Sequence, residues 1–360
     1  MGLLPHKKAL CRPLALVLTC ALMCALGAGC QQTDEKHETT IFAMDTVMTL
    51  TVYGDGERIG GQEALDEMVE TIYLLESRQD ATREDSEIAR LNQSGGESVP
   101  LSGETADLLG QALALCALTG GALDITAYPA AETWGFTTGE YRVPSDTELE
   151  ELAGRIDYTQ VQLGSSGELL PTATLTSDAE LDLGAVAKGY AGEQLAAYLK
   201  RVGVTSALLD LGQSTIVTLG SRPDGSPWRI GIQDPAGEGY LGVLELTDMA
   251  MGTSGGYQRY FEEDGVRYWH IIDPDTAAPA RSGLASVTVV GPSGLTCDGL
   301  STALFVMGLE EGTAFWRAHR SLDFDVLFIT DDGAVFITSG LEDSFSLANG
   351  YENREVTVLS

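Results

Sequence analysis

The chain is short of positive charge. Its 360 residues include 21 Lys and Arg against 53 Asp and Glu, with 4 His, for a formal net charge of −32. A field of that sign keeps a protein soluble and repels polyanions, which excludes nucleic acid as a partner and obliges any anionic ligand to find local help from a cation. Cysteine is also scarce where it would matter. Four of the six (Cys11, Cys20, Cys24 and Cys30) lie in the first thirty residues, leaving Cys116 and Cys297, too few for a disulfide framework and flanked by apolar neighbours as buried free thiols are. No apolar run reaches the ~20 residues that a bilayer span needs. Internal repeats, low-complexity blocks and the Walker and Rossmann glycine loops are missing too, so the common nucleotide folds are not indicated.

What is present begins with a leader. His6, Lys7, Lys8 and Arg12 precede an apolar stretch from Leu14 to Leu26 and a small-residue exit, Gly27-Ala28-Gly29-Cys30, the pattern of a secretory signal. The exit resembles a bacterial lipobox, which makes Cys30 the expected lipid-modified first residue of the mature chain and places the protein on the extracytoplasmic face of the bacterial cell membrane. Gly27 stands where such a motif usually has a larger aliphatic, so simple cleavage is the alternative. The polar stretch from Gln31 to about Thr40 reads as a tether to one domain over 41–360.

Within that domain Phe42–Tyr53 alternates as a strand does, Gly61–Arg78 and Thr105–Leu118 carry helical spacing, and Ser145-Asp146-Thr147-Glu148 is a capping-box start. Thr174–Leu183 reads as a strand, Val186–Val202 as a helix, and the chain from Trp228 as short punctuated strands. A helix from Asp298 to about His319, with breaks at Gly308 and Gly312, interrupts them. Strands and helices mix without a βαβ rhythm, which predicts an α+β fold of mixed sheets with packed helices.

Three separated stretches carry chemistry. Asp298 and Thr302, four apart on a helix, set a carboxylate and a hydroxyl on one face, hard donors that suit Mg²⁺; as ordinary helix residues they would be a cap and a back-bonded hydroxyl. Leu181-Asp182-Leu183-Gly184-Ala185-Val186-Ala187-Lys188-Gly189 puts a carboxylate, two glycines and a lysine at a helix start, a setting that accepts phosphate or is simply a strand–turn–helix with a surface lysine. His270 follows Tyr268-Trp269 and precedes Asp273-Pro274, placed as a general base or as a structural histidine.

Taken in order, nine segments resemble the ApbE-type flavin transferases (FAD:protein FMN transferases) over nearly all of the mature chain. They are Ala43–Met48, Asp85–Asn92, Gly121–Thr126, Trp134–Phe136, Leu181–Tyr190, Leu209–Gly212, Thr253–Gly255, His270–Pro274 and Asp298–Thr302. The resemblance implies an ApbE-like, T-fold-related architecture and Mg²⁺ held by the Ala185 carbonyl, Asp298 and Thr302. It implies an FAD site lined by Met44, Ala122, Leu123, Asp124, Asp182, Lys188 and Ile272, with His270 as the base or orienting group. The implied reaction passes FMN from FAD to a Thr or Ser hydroxyl of a flavoprotein partner, in a Ser/Thr-Gly-Ala-Ser/Thr-like segment, and releases AMP. An FAD pyrophosphatase and a non-catalytic FAD-binding lipoprotein are the alternatives. Four positions depart from the family pattern: Thr82 where an aromatic is usual, Leu123 for Phe, Gln213 for a second glycine and Ala277 for glycine.

Overall fold

The computed structural model describes residues 35–166, 170–176 and 178–360. The leader, Cys30 and residues 31–34 lie outside them. Among the described residues the largest sheet has nine strands, β1 (Lys36–Ala43), β2 (Thr46–Tyr53), β3 (Ala207–Asp210), β4 (Thr215–Leu219) and β5 (Ala250–Gly255), then β6 (Leu284–Gly291), β7 (Asp325–Thr330), β8 (Val335–Thr338) and β9 (Val356–Leu359). Their spatial order is their chain order. Neighbours are antiparallel except β8 and β9, which run parallel. The mixed sheet with helices inserted between its strands is the α+β arrangement the sequence predicts.

Both faces of this sheet are covered, so β4 is buried along its whole length. The period-2 alternation of strands sorts side chains between two cores. On β7, Val326 and Phe328 enter the core shared with the helices, while Leu327 and Ile329 enter a second core. The helical side is built by α1 (Gly61–Gln79), α2 (Gly103–Leu118), α3 (Ala187–Val202) and α4 (Gly294–Ala318). The opposite side is covered by a three-stranded sheet in which Tyr240–Leu246 lies between Trp228–Gln233 and Phe345–Leu347.

Several elements differ from the sequence reading. Residues 36–40, read as tether, are already strand: β1 pairs with β2 from Lys36↔Tyr53 onward. Phe42–Tyr53 is therefore not one strand but the close of a hairpin, turned by Met44 and Asp45 at φ 48° and 59°, left-handed values that two successive non-glycine residues seldom adopt. The predicted strand Thr174–Leu183 stops at Leu175, so Asp182 sits on an irregular segment. Helix α4 begins four residues before Asp298, at Gly294, capped by the Ser293 hydroxyl accepting from the Thr296 N–H. Asp298 is thus no cap. The kink is at Gly308 alone, φ 80°, with Gly312 left helical. The short helix Tyr128–Thr133 is a further element the sequence did not announce. The Ser145–Glu148 capping box is present, and Cys116 and Cys297 are buried and free.

Helices α3 and α4 cross backbone to backbone at Gly189 and Gly294. A Cβ on Gly189 would overlap the Gly294 carbonyl, and one on Gly294 would lie 2.6 Å from the Gly189 oxygen. We predict that Gly189→Ala lowers unfolding free energy by about 1–3 kcal/mol or more, the scale of overpacking. Gly103→Ala, with nothing within 4 Å of its Cβ, is the control. Urea midpoints compare the two, and equal midpoints would discard this packing argument.

Candidate functional site

The α3–α4 crossing fixes the first carboxylate. Asp298, 6% exposed, turns back from the second turn of α4. Its Oδ2 accepts from the Gly189 N–H at 2.6 Å, and its Oδ1 accepts from the Thr215 hydroxyl of β4 at 2.7 Å. An ionised carboxylate offers about four lone-pair positions, so half remain free. Burial pushes its pKa up to about 6, against the opposing pull of the Lys188 ammonium and these two hydrogen bonds. Thr302 follows one turn later on the same face. Its hydroxyl lies 3.1 Å from that of Ser254 on β5, and Ser254 is 2.9 Å from Ser301, which donates to the Asp298 carbonyl at 2.8 Å. Gly252 lets β5 approach this closely, because a Cβ there would sit 2.5 Å from the Cys297 carbonyl.

The segment leading into α3 is tied down by Asn92, at the end of the short helix Glu87–Asn92. Its side chain accepts from the Leu181 N–H at 2.7 Å and donates to the Leu181 carbonyl at 3.0 Å. Asp182 then accepts from the Gly184 N–H, and its own N–H bonds the Ile125 carbonyl at 2.9 Å. Burial raises the Asp182 pKa from the usual carboxylate range. Asp124 is raised by burial too, but its oxygens are committed locally. Oδ1 takes the Thr126 N–H and hydroxyl at 2.8 and 2.6 Å, and Oδ2 takes the Tyr158 N–H at 2.9 Å.

His270 is held by a single carbonyl. The oxygen of Arg259 accepts its backbone N–H at 3.1 Å and lies 3.2 Å from Nδ1. A carbonyl only accepts, so Nδ1 carries the proton and Nε2 keeps a free lone pair. Burial, with the Arg259 and Lys188 cations nearby, brings the ring's pKa down to about 4, which leaves the imidazole neutral at ordinary pH.

All eleven residues singled out from the sequence line one cavity of about 310 Å³: Met44, Ala122, Leu123, Asp124, Asp182, Ala185, Lys188, His270, Ile272, Asp298 and Thr302. None lies elsewhere. The sequence reading missed Arg259, whose guanidinium donates to the Phe136 carbonyl, together with Ser254, Ser301 and Tyr128 in the same wall. Ser254 stood in a quoted segment, whereas Arg259 sits beyond it with no spacing signal. Thr82, at the place of the family's usual aromatic, lines a neighbouring cavity of about 320 Å³ that meets the first at Tyr128 and Thr137.

The donor set bears on a metal. Among the described residues no three His, Cys, Asp or Glu side chains stand together as a cluster. The free lone pairs of Asp298, the Thr302 hydroxyl and the Ala185 carbonyl are a sparse oxygen set. Such a set fits a hard divalent ion that completes its shell from water and ligand phosphate. In the same wall four carboxylates (Asp45, Asp124, Asp182, Asp298) face two cations (Lys188, Arg259).

The chain is similar to known proteins over most of its length. The ApbE family profile matches residues 44–328. The chain is 36% identical over 318 residues to a FAD:protein FMN transferase of Vibrio cholerae, covering 85% of this chain and 91% of that one. It is 33% identical over 342 residues to one from Treponema pallidum, covering 91% and 93%. Among solved structures, the ApbE protein of Thermotoga maritima superposes with a TM-score of 0.80 at 30% identity, over 86% of this chain and 99% of that one. The apo flavinyl transferase ApbE of Pseudomonas stutzeri gives 0.77 at 29%, over 88% and 98%. With a profile spanning most of its length and relatives alike across the whole domain, this chain belongs to the ApbE family.

Proposed function

We propose that this protein transfers FMN from FAD to a Ser or Thr hydroxyl of an acceptor flavoprotein, releasing AMP, and that it needs Mg²⁺ to do so. The observation that carries the reading is the charge balance of the cavity. A diphosphate brings negative charge to a wall where carboxylates already outnumber cations, and Lys188 with Arg259 leaves it uncompensated. Asp298, Thr302 and the Ala185 carbonyl would hold the ion. When bound it would neutralise the diphosphate and the departing AMP.

The chain's own groups do the rest. Lys188, in the first turn of α3, sets a fixed cation toward the phosphates, next to backbone N–H groups at a helix start. Met44, Ala122, Leu123 and Ile272 supply apolar wall for the flavin nucleotide, and Tyr128 offers an aromatic ring where Thr82 offers none. His270 takes the proton of the acceptor hydroxyl on Nε2 as its oxygen bonds to the FMN phosphorus. The phosphorus–oxygen bond to AMP breaks, and the proton passes to solvent. Phosphoryl transfer asks mainly for such positioning and charge neutralisation. Family membership and the names of the relatives favour transfer over simple FAD hydrolysis and over flavin binding without catalysis.

The leader supports a lipid on Cys30 that anchors the enzyme outside the cytoplasmic membrane, beside membrane-bound acceptors. With β1 beginning at Lys36, the linker this requires is shorter than the sequence reading had it.

Three outcomes are expected. The mature chain with FAD, Mg²⁺ and an acceptor domain gives covalent flavin fluorescence on the acceptor, and Asp298→Asn loses that Mg²⁺-dependent labelling while keeping its thermal transition. Sustained AMP release with an unlabelled acceptor would remove the transfer half. His270→Ala retains FAD binding while transfer falls by about 10²-fold or more, the scale of general-base loss; undiminished transfer would make His270 structural. Ion affinity requires the carboxylate form of Asp298. Since its pKa stands near 6, Mg²⁺ affinity measured by calorimetry declines as pH falls through 6, by about tenfold per unit below it. His270 stays neutral across that range, so an affinity flat from pH 7 to 5 would remove Asp298 from the ion site.

A further inference from the structure

The β5 strand has two faces with different neighbours. Ser254 points to the helical side, where it meets Ser301 and Thr302, whereas Met251 and Thr253 point to the side of the three-stranded sheet. There a second cavity of about 240 Å³ opens, with Ile216 and Met251 in its floor and Arg229, Ile230 and Tyr240 in its wall. It adjoins the catalytic cavity, with which it shares Thr253 and Gln258 in its lining. Thr253 is anchored across the sheet, its hydroxyl 2.9 Å from that of Thr288. The two cavities therefore meet near the end of β5, one on each face of the main sheet.

The wall of this groove is a strand with one free edge. Trp228–Gln233 is the outer strand of its sheet and pairs with Tyr240–Leu246 on one side. Its other edge presents N–H and C=O groups that no neighbouring strand takes up among the described residues. Such an edge is a template for an extended chain: main-chain hydrogen bonds supply affinity and alternate side chains enter pockets. Arg229 and Gln233 are exposed on this strand, and Tyr240, opposite Gln233 on the paired neighbouring strand, is 63% exposed.

We infer that this edge and groove receive the Ser/Thr-bearing segment of the acceptor polypeptide as an added strand, with its hydroxyl residue passing Gln258 to reach His270. The inference rests on the transferase reading above and names where that reaction's second substrate docks. It separates the two substrates by sheet face: the flavin nucleotide among the helix-side donors, the polypeptide from the opposite side. The adjacency of this groove to the cavity that holds His270, through Thr253 and Gln258, is what favours an acceptor segment here over a second copy of this chain.

The test uses the full mature chain with FAD and Mg²⁺ and, as probe, an acceptor domain carrying a Ser/Thr-Gly-Ala-Ser/Thr segment. With the acceptor's own hydroxyl residue replaced by Ala, so that a complex forms without turnover, backbone amides in Trp228–Gln233 gain hydrogen-exchange protection. With the reactive acceptor, the double variant Arg229→Ala/Tyr240→Ala raises KM for acceptor by about tenfold while kcat and FAD affinity stay within about twofold, the signature of lost docking contacts. Unprotected amides together with an unchanged KM, in an enzyme whose wild type labels the acceptor, would overturn this inference and leave the transferase reading standing. A wild type that binds FAD yet labels no acceptor would overturn both.

Discussion

A carboxylate kept out of water organises this molecule. Asp298 is pushed from the ordinary aspartate value to about 6 by burial, which amounts to about 3 kcal/mol of cost to the ionised folded state near neutral pH. The cost falls on the native protein as pH rises through about 6, since the folded state holds that proton more tightly than the unfolded chain does. Two donors from different elements, the Gly189 N–H of α3 and the Thr215 hydroxyl of β4, offset part of it and fix the direction in which the remaining lone pairs point. A buried carboxylate that stays costly even when hydrogen-bonded is compensated by nearby positive charge, and the Lys188 ammonium supplies part of it.

The backbone contacts follow from that requirement. For Gly189 to donate to Asp298, α3 and α4 must touch main chain to main chain, and only glycine at 189 and 294 permits it. For the β5 hydroxyls to meet Thr302, the strand must lie against the Cys297–Asp298 backbone, which glycine at 252 allows. These three glycines lie in three separate segments of the chain. Their common effect is to bring polar main chain and side chains into an apolar core without a gap for water, so the carboxylate is both reachable from the cavity and otherwise dry.

Much of this was legible in the sequence, for reasons that differ by level. Strands such as Thr215–Leu219 and Trp228–Gln233 carry their own period and matched residue for residue. The capping box at Ser145 is a local signal with local causes. The eleven candidate residues were singled out because their segments resemble a family, and the fold brings them to one cavity. What could not be read was tertiary in origin. The hairpin turn at Met44–Asp45 uses left-handed backbone at residues that do not advertise it, so β1 and β2 read as one strand beginning too late. The irregular course of residues 178–186 is held by Asn92, bonded to Leu181 from 89 residues away, a contact that no window of sequence contains. Arg259 enters the cavity from an exposed turn, where nothing in its neighbours marks a guanidinium as functional.

The overall charge adds a last step. At −32 for the whole chain, long-range electrostatics oppose an anionic ligand from every side except where cations are concentrated. Lys188 and Arg259 face the cavity, and they add to burial, the larger cause, in lowering the His270 pKa and keeping its ring neutral. The same two positive groups thus favour an anion in the cavity and a neutral imidazole beside it. A more basic cavity would bind the nucleotide without a divalent ion, but it would gain nothing in selectivity among phosphates. Under the transferase reading proposed above, an acidic wall around a few fixed cations would make binding conditional on the ion and so would tie recognition of the diphosphate to the presence of the group that stabilises its cleavage.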